Sequence, residues 1–254
     1  MRNYMNKSVY LLIVLLVGFL FSSLSLAQEV NNQALNNQDI SIQVAQDTLH
    51  IPVPNGFTKL TTNMEPFYDI KEKMVAPTNA DLVDFISNQD ASVASVGQIP
   101  KIQRSFSVQV AKKLEGLHVT GIQFAALKAL IRDKNEQIMA SAKSVINQNL
   151  ADQTKAINHK MNTNVHLNVT STKVLPVHDD TPNSLSYSMY VYANVGFGSD
   201  PKLDSVKNVS IVTVNFVYIH HQVFFFYVSG NQDDLDWTRQ ASKLWIEKAL
   251  KDNS

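Results

Sequence analysis

The sharpest local cluster of metal-ligating side chains in the sequence is His178-Asp179-Asp180, and a second short run, His220-His221, follows 40 residues later. Imidazole nitrogen and carboxylate oxygen are ligands for divalent zinc or copper, and a histidine beside a carboxylate is also the minimum for general acid–base work. Taken alone, the first run has the composition of a solvated turn, because Asp180 is followed by Thr181-Pro182-Asn183. Strand order is what would join the two. In an up-and-down meander the first and third connections leave the sheet at the same end, about two strand spacings or roughly 10 Å apart. A divalent metal shared by His178, Asp179, Asp180, His220 and His221 is therefore one reading of this rim; solvated loops with no cofactor is the other.

The remaining histidines, His50, His118, His159 and His166, show no H-E-x-x-H spacing, and no G-x-S-x-G elbow is present. Cysteine is absent, which removes disulfides, thiolate nucleophiles and Cys-ligated metal sites. A second candidate surface comes from alternation. Between Ser184 and Val195, apolar Leu185, Tyr187, Met189, Val191 and Ala193 point one way, while Ser186, Ser188, Tyr190, Tyr192 and Asn194 point the other. Tyrosines among small polar residues supply rigid contact area with hydrogen-bonding tips, so this face is a ligand or partner surface if it is open, and packing if a helix covers it.

The elements that position these residues follow from periodicity. Residues 122–161 contain neither Gly nor Pro, and Phe124, Leu127, Ile131, Ile138, Ala142, Val145, Leu150 and Ile157 recur at helical spacing. Asn135, Asn147 and Asn149 interrupt the stripe, which favours packing on the chain's own sheet over a coiled coil with a second copy. Strands are predicted at 82–86, 105–110, 165–169, 184–195, 209–219 and 223–229, with Val223 to Val228 apolar on both faces and hence central. Asn63 is predicted to cap a short helix with Pro66 in its first turn, and residues 87–100 read as a polar loop. A closing amphipathic helix is predicted to start at Asp233 and to bury Trp237, Ala241, Leu244 and Trp245. The fold class expected is α+β, a mainly antiparallel meander covered by the long central helix and the C-terminal helix.

At the N-terminus, Arg2 and Lys7 precede an apolar run from Val9 to Phe21 and then Ser22-Ser23-Leu24-Ser25-Leu26-Ala27, the order of a cleavable secretory signal. The run is short of the roughly 20 residues a spanning helix needs, so no stable membrane insertion is expected after cleavage. The organisation predicted is residues 1–27 signal peptide, 28–48 an Asn/Gln-rich flexible leader in which Ile40, Ile42 and Val44 could form an edge strand, and 49–254 one domain. Lysines and arginines balance the acidic residues, 22 against 22, and removing the signal leaves a slight acidic excess, so nucleic acid is not an expected partner.

The start Ile51-Pro52-Val53-Pro54-Asn55-Gly56-Phe57, the hairpin from Phe216 to Tyr227 and the final helix through Trp237 and Trp245 together resemble the PsbP-like fold, which DcrB-like periplasmic proteins share. That resemblance covers roughly residues 50–252 and implies an accessory or binding protein and no named ligand. The function expected is a periplasmic or secreted, non-enzymatic protein engaging an envelope protein or small ligand. The alternative is a metal-dependent or hydrolytic enzyme at the His/Asp rim.

Overall fold

A computed structural model describes residues 39–161, 164–197 and 205–254. The signal-peptide reading and the first part of the leader, residues 28–38, lie outside the described residues. The chain begins with a hairpin of β1 (Asp39–Val44) and β2 (Asp47–Pro52), so Ile40, Ile42 and Val44 do belong to a strand. After β3 (Phe57–Lys59) come a 3-10 turn (Thr62–Met64), α1 (Phe67–Met74), β4 (Asn79–Ser87), α2 (Asn88–Ser95) and β5 (Ser105–Ala111). The helix α3 (Gly121–Met161) then leads into β6 (Val165–Thr181), β7 (Ser184–Phe197), β8 (Ser205–Ile219), β9 (Gln222–Asn231) and α4 (Leu235–Asp252).

The main sheet has seven strands in the order β3-β4-β5-β9-β8-β7-β6, every neighbour antiparallel. The fold is thus α+β as the periodicities predict. A single crossover explains the order. Helix α3, about 60 Å long at 1.5 Å per residue, carries the chain from β5 to the far edge, and the meander walks back until β9 pairs with β5.

Each sheet face has its own core. Under α3 lie Leu185, Tyr187, Met189, Val212, Val214, Phe216, Phe225 and Tyr227. Under α4 and the β1–β2 hairpin lie Phe85, Phe106, Val108, Val217, Phe224, Phe226 and Val228, joined by Trp237 and Trp245. Strand β9 feeds both cores, so Val223 to Val228 are buried throughout. Trp245 is fully buried, edge-on to Phe106 and Phe226 at 5.0 and 4.8 Å, and its Nε1 donates to the Pro52 carbonyl at 2.8 Å. The indole therefore ties the small hairpin to the main sheet through one helix.

Several boundaries differ from expectation. Residues 88–95, predicted as loop, form α2, because Ser87 accepts from the Asp90 amide as an N-cap and Ala91 and Ala94 pack against Ile86 and Phe67. Pro66 stands at the N-cap position of α1 and Asn63 lies in the 3-10 turn before it. Asp234 rather than Asp233 is the N-cap residue of α4, and its carboxylate turns back to accept the Asn231 amide at 2.8 Å. Leu244 is 37% exposed; the buried stripe runs through Trp237, Thr238, Ala241, Ser242, Trp245 and Ile246.

The stripe of α3 contains polar residues with assigned partners. Lys128 reaches Asp180 at 2.8 Å, and Gln153 donates to the Val75 carbonyl at 2.9 Å. Asn147 brackets Val169, accepting from its amide at 2.9 Å and donating to its carbonyl at 3.0 Å, and Asn158 does the same to Val165 at 2.8 Å for both. Strand β6 is the outer edge of the sheet, and these amides occupy the hydrogen-bonding groups that a further strand would use.

Candidate functional site

The polar face of β7 is divided by the end of α4. Ser184, Ser186 and Ser188 are buried, whereas Tyr190, Tyr192 and Asn194 are half-buried. The boundary is a line of hydroxyls: Ser188 Oγ meets Thr213 Oγ1 at 2.9 Å, and Thr213 donates to Thr238 of α4 at 3.0 Å. Arg239 Nε also donates to Ser188 at 3.3 Å. Beyond Ser188 the helix no longer covers the sheet, and the rings of Tyr190 and Tyr192 stand 6.5 Å apart, tilted by 40°. Register places Lys173 and Ile211 beside Tyr190, Ser171 and Val209 beside Tyr192, and Asn168 and Lys207 beside Asn194. Across residues 164–174, 190–197 and 205–211 the sequence contains no Asp or Glu. The open stretch is thus an aromatic and amide surface with lysines on its flanking strands.

The rim residues are distributed differently from expectation. His178, Asp179 and Asp180 lie within β6, not in a loop, because the strand continues to Thr181 and only residues 182–183 turn. His178 lies on the α4 side, its Nε2 3.3 Å from Ser188 Oγ; burial first, and then the Arg239 charge, pull its pKa down to about 4 against the opposing pull of Asp179. Asp180 turns to the α3 side, where it pairs with Lys128 and Arg132. Burial alone would raise its pKa, but the hydrogen bonds and charges of those two partners hold it below the usual value. His220 and His221 form the two-residue turn between β8 and β9, with positive φ of 48° and 62°. His221 stacks on His118 at 4.2 Å, and its Nδ1 lies 3.0 Å from the Tyr218 hydroxyl. Thr213, beside Ser188, is separated from that turn by roughly 20 Å of strand, so His178 and His221 do not meet. Among the described residues no group of three His, Asp or Glu is placed to hold a metal ion.

Comparison with known proteins adds a distant likeness. No protein-family model matches the sequence, and no curated relative matches it. Among solved structures, the cyanobacterial PsbP of Synechocystis is 12% identical, with a TM-score of 0.29, over 87% of this chain and 95% of that one. The Ran-binding protein Mog1p of Saccharomyces cerevisiae is 8% identical, with a TM-score of 0.30, over 87% and 95%. The resemblance to a PsbP-like protein is weak.

A second cluster has no counterpart in the sequence reading. Helix α1 and strand β4 enclose a groove of about 470 Å³, with Leu60, Tyr68, Lys71, Asp81 and Asp84 in its wall. Asp84 is 6% exposed, with Lys71 Nζ 3.3 Å from its Oδ1. Asp81 neighbours it across a bulge in β4 and accepts from the fully buried Ser107 at 3.4 Å. These contacts turn the Asp81 carboxyl inward although the residue as a whole is exposed. Desolvation, and next the Asp84 carboxylate, push its pKa up to about 8. A charged residue, Asp84, inside the apolar run Leu82 to Ile86 was the available signal.

Proposed function

We propose that this chain is an exported accessory protein that binds a partner or small ligand, without catalysis, through the open sheet around Tyr190, Tyr192 and Asn194. The carrying observation is that α4 ends its cover at Ser188 and leaves two neighbouring tyrosine rings at a half-buried surface whose described strand residues, 164–174, 190–197 and 205–211, include no Asp or Glu. Large rings that cost little side-chain entropy to fix, rimmed by amides and lysines, suit recognition rather than chemistry. Export rests on the ordered charged, apolar and small-residue segments of residues 1–27. Among the described residues no helix is long and apolar enough to cross a membrane. The enzymatic alternative at the His/Asp rim gains nothing from the geometry, since His178 and Asp180 turn to opposite faces and His221 is engaged elsewhere.

Site-specific photocrosslinking in the native envelope fraction tests this reading. A crosslinker at Tyr190 or Tyr192 should capture a discrete species that the same group at Lys243, exposed on α4, does not. Identical adducts from all three positions would refute the assignment.

A further inference from the structure

Helix α3 lies along the outer edge of β6, with a groove of about 560 Å³ between the two. In an antiparallel sheet the backbone groups of alternate residues point away from the neighbouring strand. Asn147 and Asn158 show which residues these are on β6, because their amides bond both the N–H and the C=O of Val169 and of Val165. Leu167 lies midway, so its N–H and C=O point outward as well, into the groove that it lines. Among the described residues nothing bonds either group. Leu167 is only 7% exposed, and a backbone donor and acceptor so poorly hydrated are costly to leave unpaired. The helix explains the gap. Its stripe along the edge runs Asn147, Ala151, Thr154, Asn158, and only the end members carry carboxamides. Ala151 has a single methyl group, and Thr154 donates its hydroxyl to the Leu150 carbonyl at 2.6 Å. The flanking asparagines shut out a further strand and leave a slot one residue wide, about 7 Å from each closed position.

We propose that this groove binds a small planar molecule through a primary carboxamide, whose oxygen accepts from the Leu167 N–H and whose nitrogen donates to the Leu167 carbonyl. The pattern is the one by which Asn147 holds Val169. A carboxylate brings acceptors alone and sets one of them against the Leu167 carbonyl, and a dialkylated amide has no N–H to give. A trans secondary amide turns its donor and acceptor in opposite directions. The remainder of the ligand lies beside Ala151 towards Lys155, Asn168 and Asn194, in a volume that suits a ring-sized molecule. Asn194 also borders the tyrosine surface, but the slot stands on the contacts of the β6 edge and does not rest on the tyrosines being a binding face.

Amide-resolved NMR of the isotope-labelled protein, titrated with nicotinamide, N,N-dimethylnicotinamide and nicotinate, tests the proposal. Without ligand, the Leu167 amide should exchange faster than those of Val165 and Val169. Nicotinamide should bind with a Kd of about 1 mM, shift the Leu167 amide most and slow its exchange. The other two compounds should bind roughly tenfold more weakly, for want of a donor to the Leu167 carbonyl. Ala151→Gln places a carboxamide of the chain's own in the slot, with reach enough for the axial offset of roughly 2 Å between position 151 and the midpoint of the two asparagines. It should slow Leu167 exchange without ligand and weaken nicotinamide about tenfold. N-acetylglutamine methylamide tells a free amide from the glutamine side chain of a partner. The proposal is overturned by Leu167 exchange as slow as that of Val169 in the free protein, or by no shift at Leu167 with about 20 mM nicotinamide, well above the expected Kd. Nicotinate or the dimethyl amide binding as tightly as nicotinamide, undiminished binding in Ala151→Gln, or tighter binding of the glutamine derivative than of nicotinamide would overturn it equally.

Discussion

Replacing Asn147 by Ala removes both hydrogen bonds by which α3 closes the sheet edge at Val169. Two such bonds contribute about 1–3 kcal/mol net. Asn147 is half-buried, so water partly replaces the lost amide and the lower half of that range applies. Alanine also returns about 0.5 kcal/mol of helix propensity. The expected loss is therefore about 1 kcal/mol in Asn147→Ala, and about the same in Asn158→Ala, which frees Val165. The two sites are roughly 16 Å apart along α3, so the double variant should lose about 2 kcal/mol. Urea unfolding at constant m-value measures these numbers, and hydrogen exchange at the Val169 amide should quicken in Asn147→Ala alone. Asn149→Ala is the control, since the Asn149 side chain has no hydrogen bond among the described residues; propensity should make it slightly more stable. If Asn147→Ala and Asn149→Ala unfold at the same urea concentration, the amides do not hold the edge and the reasoning fails.

Trp245→Phe keeps an aromatic ring against Phe106 and Phe226 but loses the bond to Pro52 and part of the packing; a loss of about 2–3 kcal/mol, read as a thermal midpoint lower by roughly 4–10 °C, is expected. An unchanged midpoint would show that the hairpin docks by other means. His178 is held neutral in the fold, with a pKa near 4 against an ordinary 6.5, so the unfolded chain takes up a proton first on acidification. Its contribution is complete above pH 6.5 and is lost as pH falls towards 4, by about 1–2 kcal/mol after allowance for partial exposure. Comparing urea midpoints of the native protein and His178→Gln across that range checks it; parallel curves would remove His178 as the source. Asp81 acts in the opposite sense. Its raised pKa means that stability declines as pH rises from about 4 to 8, and Asp81→Asn should flatten that decline in the same unfolding series.

The legible part of the fold was whatever a single element decides for itself. The unbroken helical spacing from Phe124 to Ile157, the alternation from Ser184 to Val195 and the doubly apolar run Val223 to Val228 each state a period, and α3, β7 and β9 follow those periods. Short elements were harder. In α2 the apolar contribution is two alanines, too small a signal to separate a helix from a loop, and only contacts with Ile86 and Phe67 stabilise it. Asn147 looked like an interruption of an apolar stripe because its two partners sit on a strand 22 residues away.

The candidate sites show the same division. Alternation assigned Ser186, Ser188, Tyr190, Tyr192 and Asn194 to one face of β7, but only the length and placement of α4 decided that the serines are covered and the tyrosines open. Adjacency of His178 and Asp180 in sequence suggested shared chemistry, whereas their contacts send them to opposite layers. Sequence by itself determined the periods, and with them the elements and their buried sides, because burial of a repeating apolar pattern is a local property. The tertiary structure alone decided which ends of those elements meet, and so which polar groups are paired, covered or open to solvent, because pairing depends on distances between segments remote along the chain.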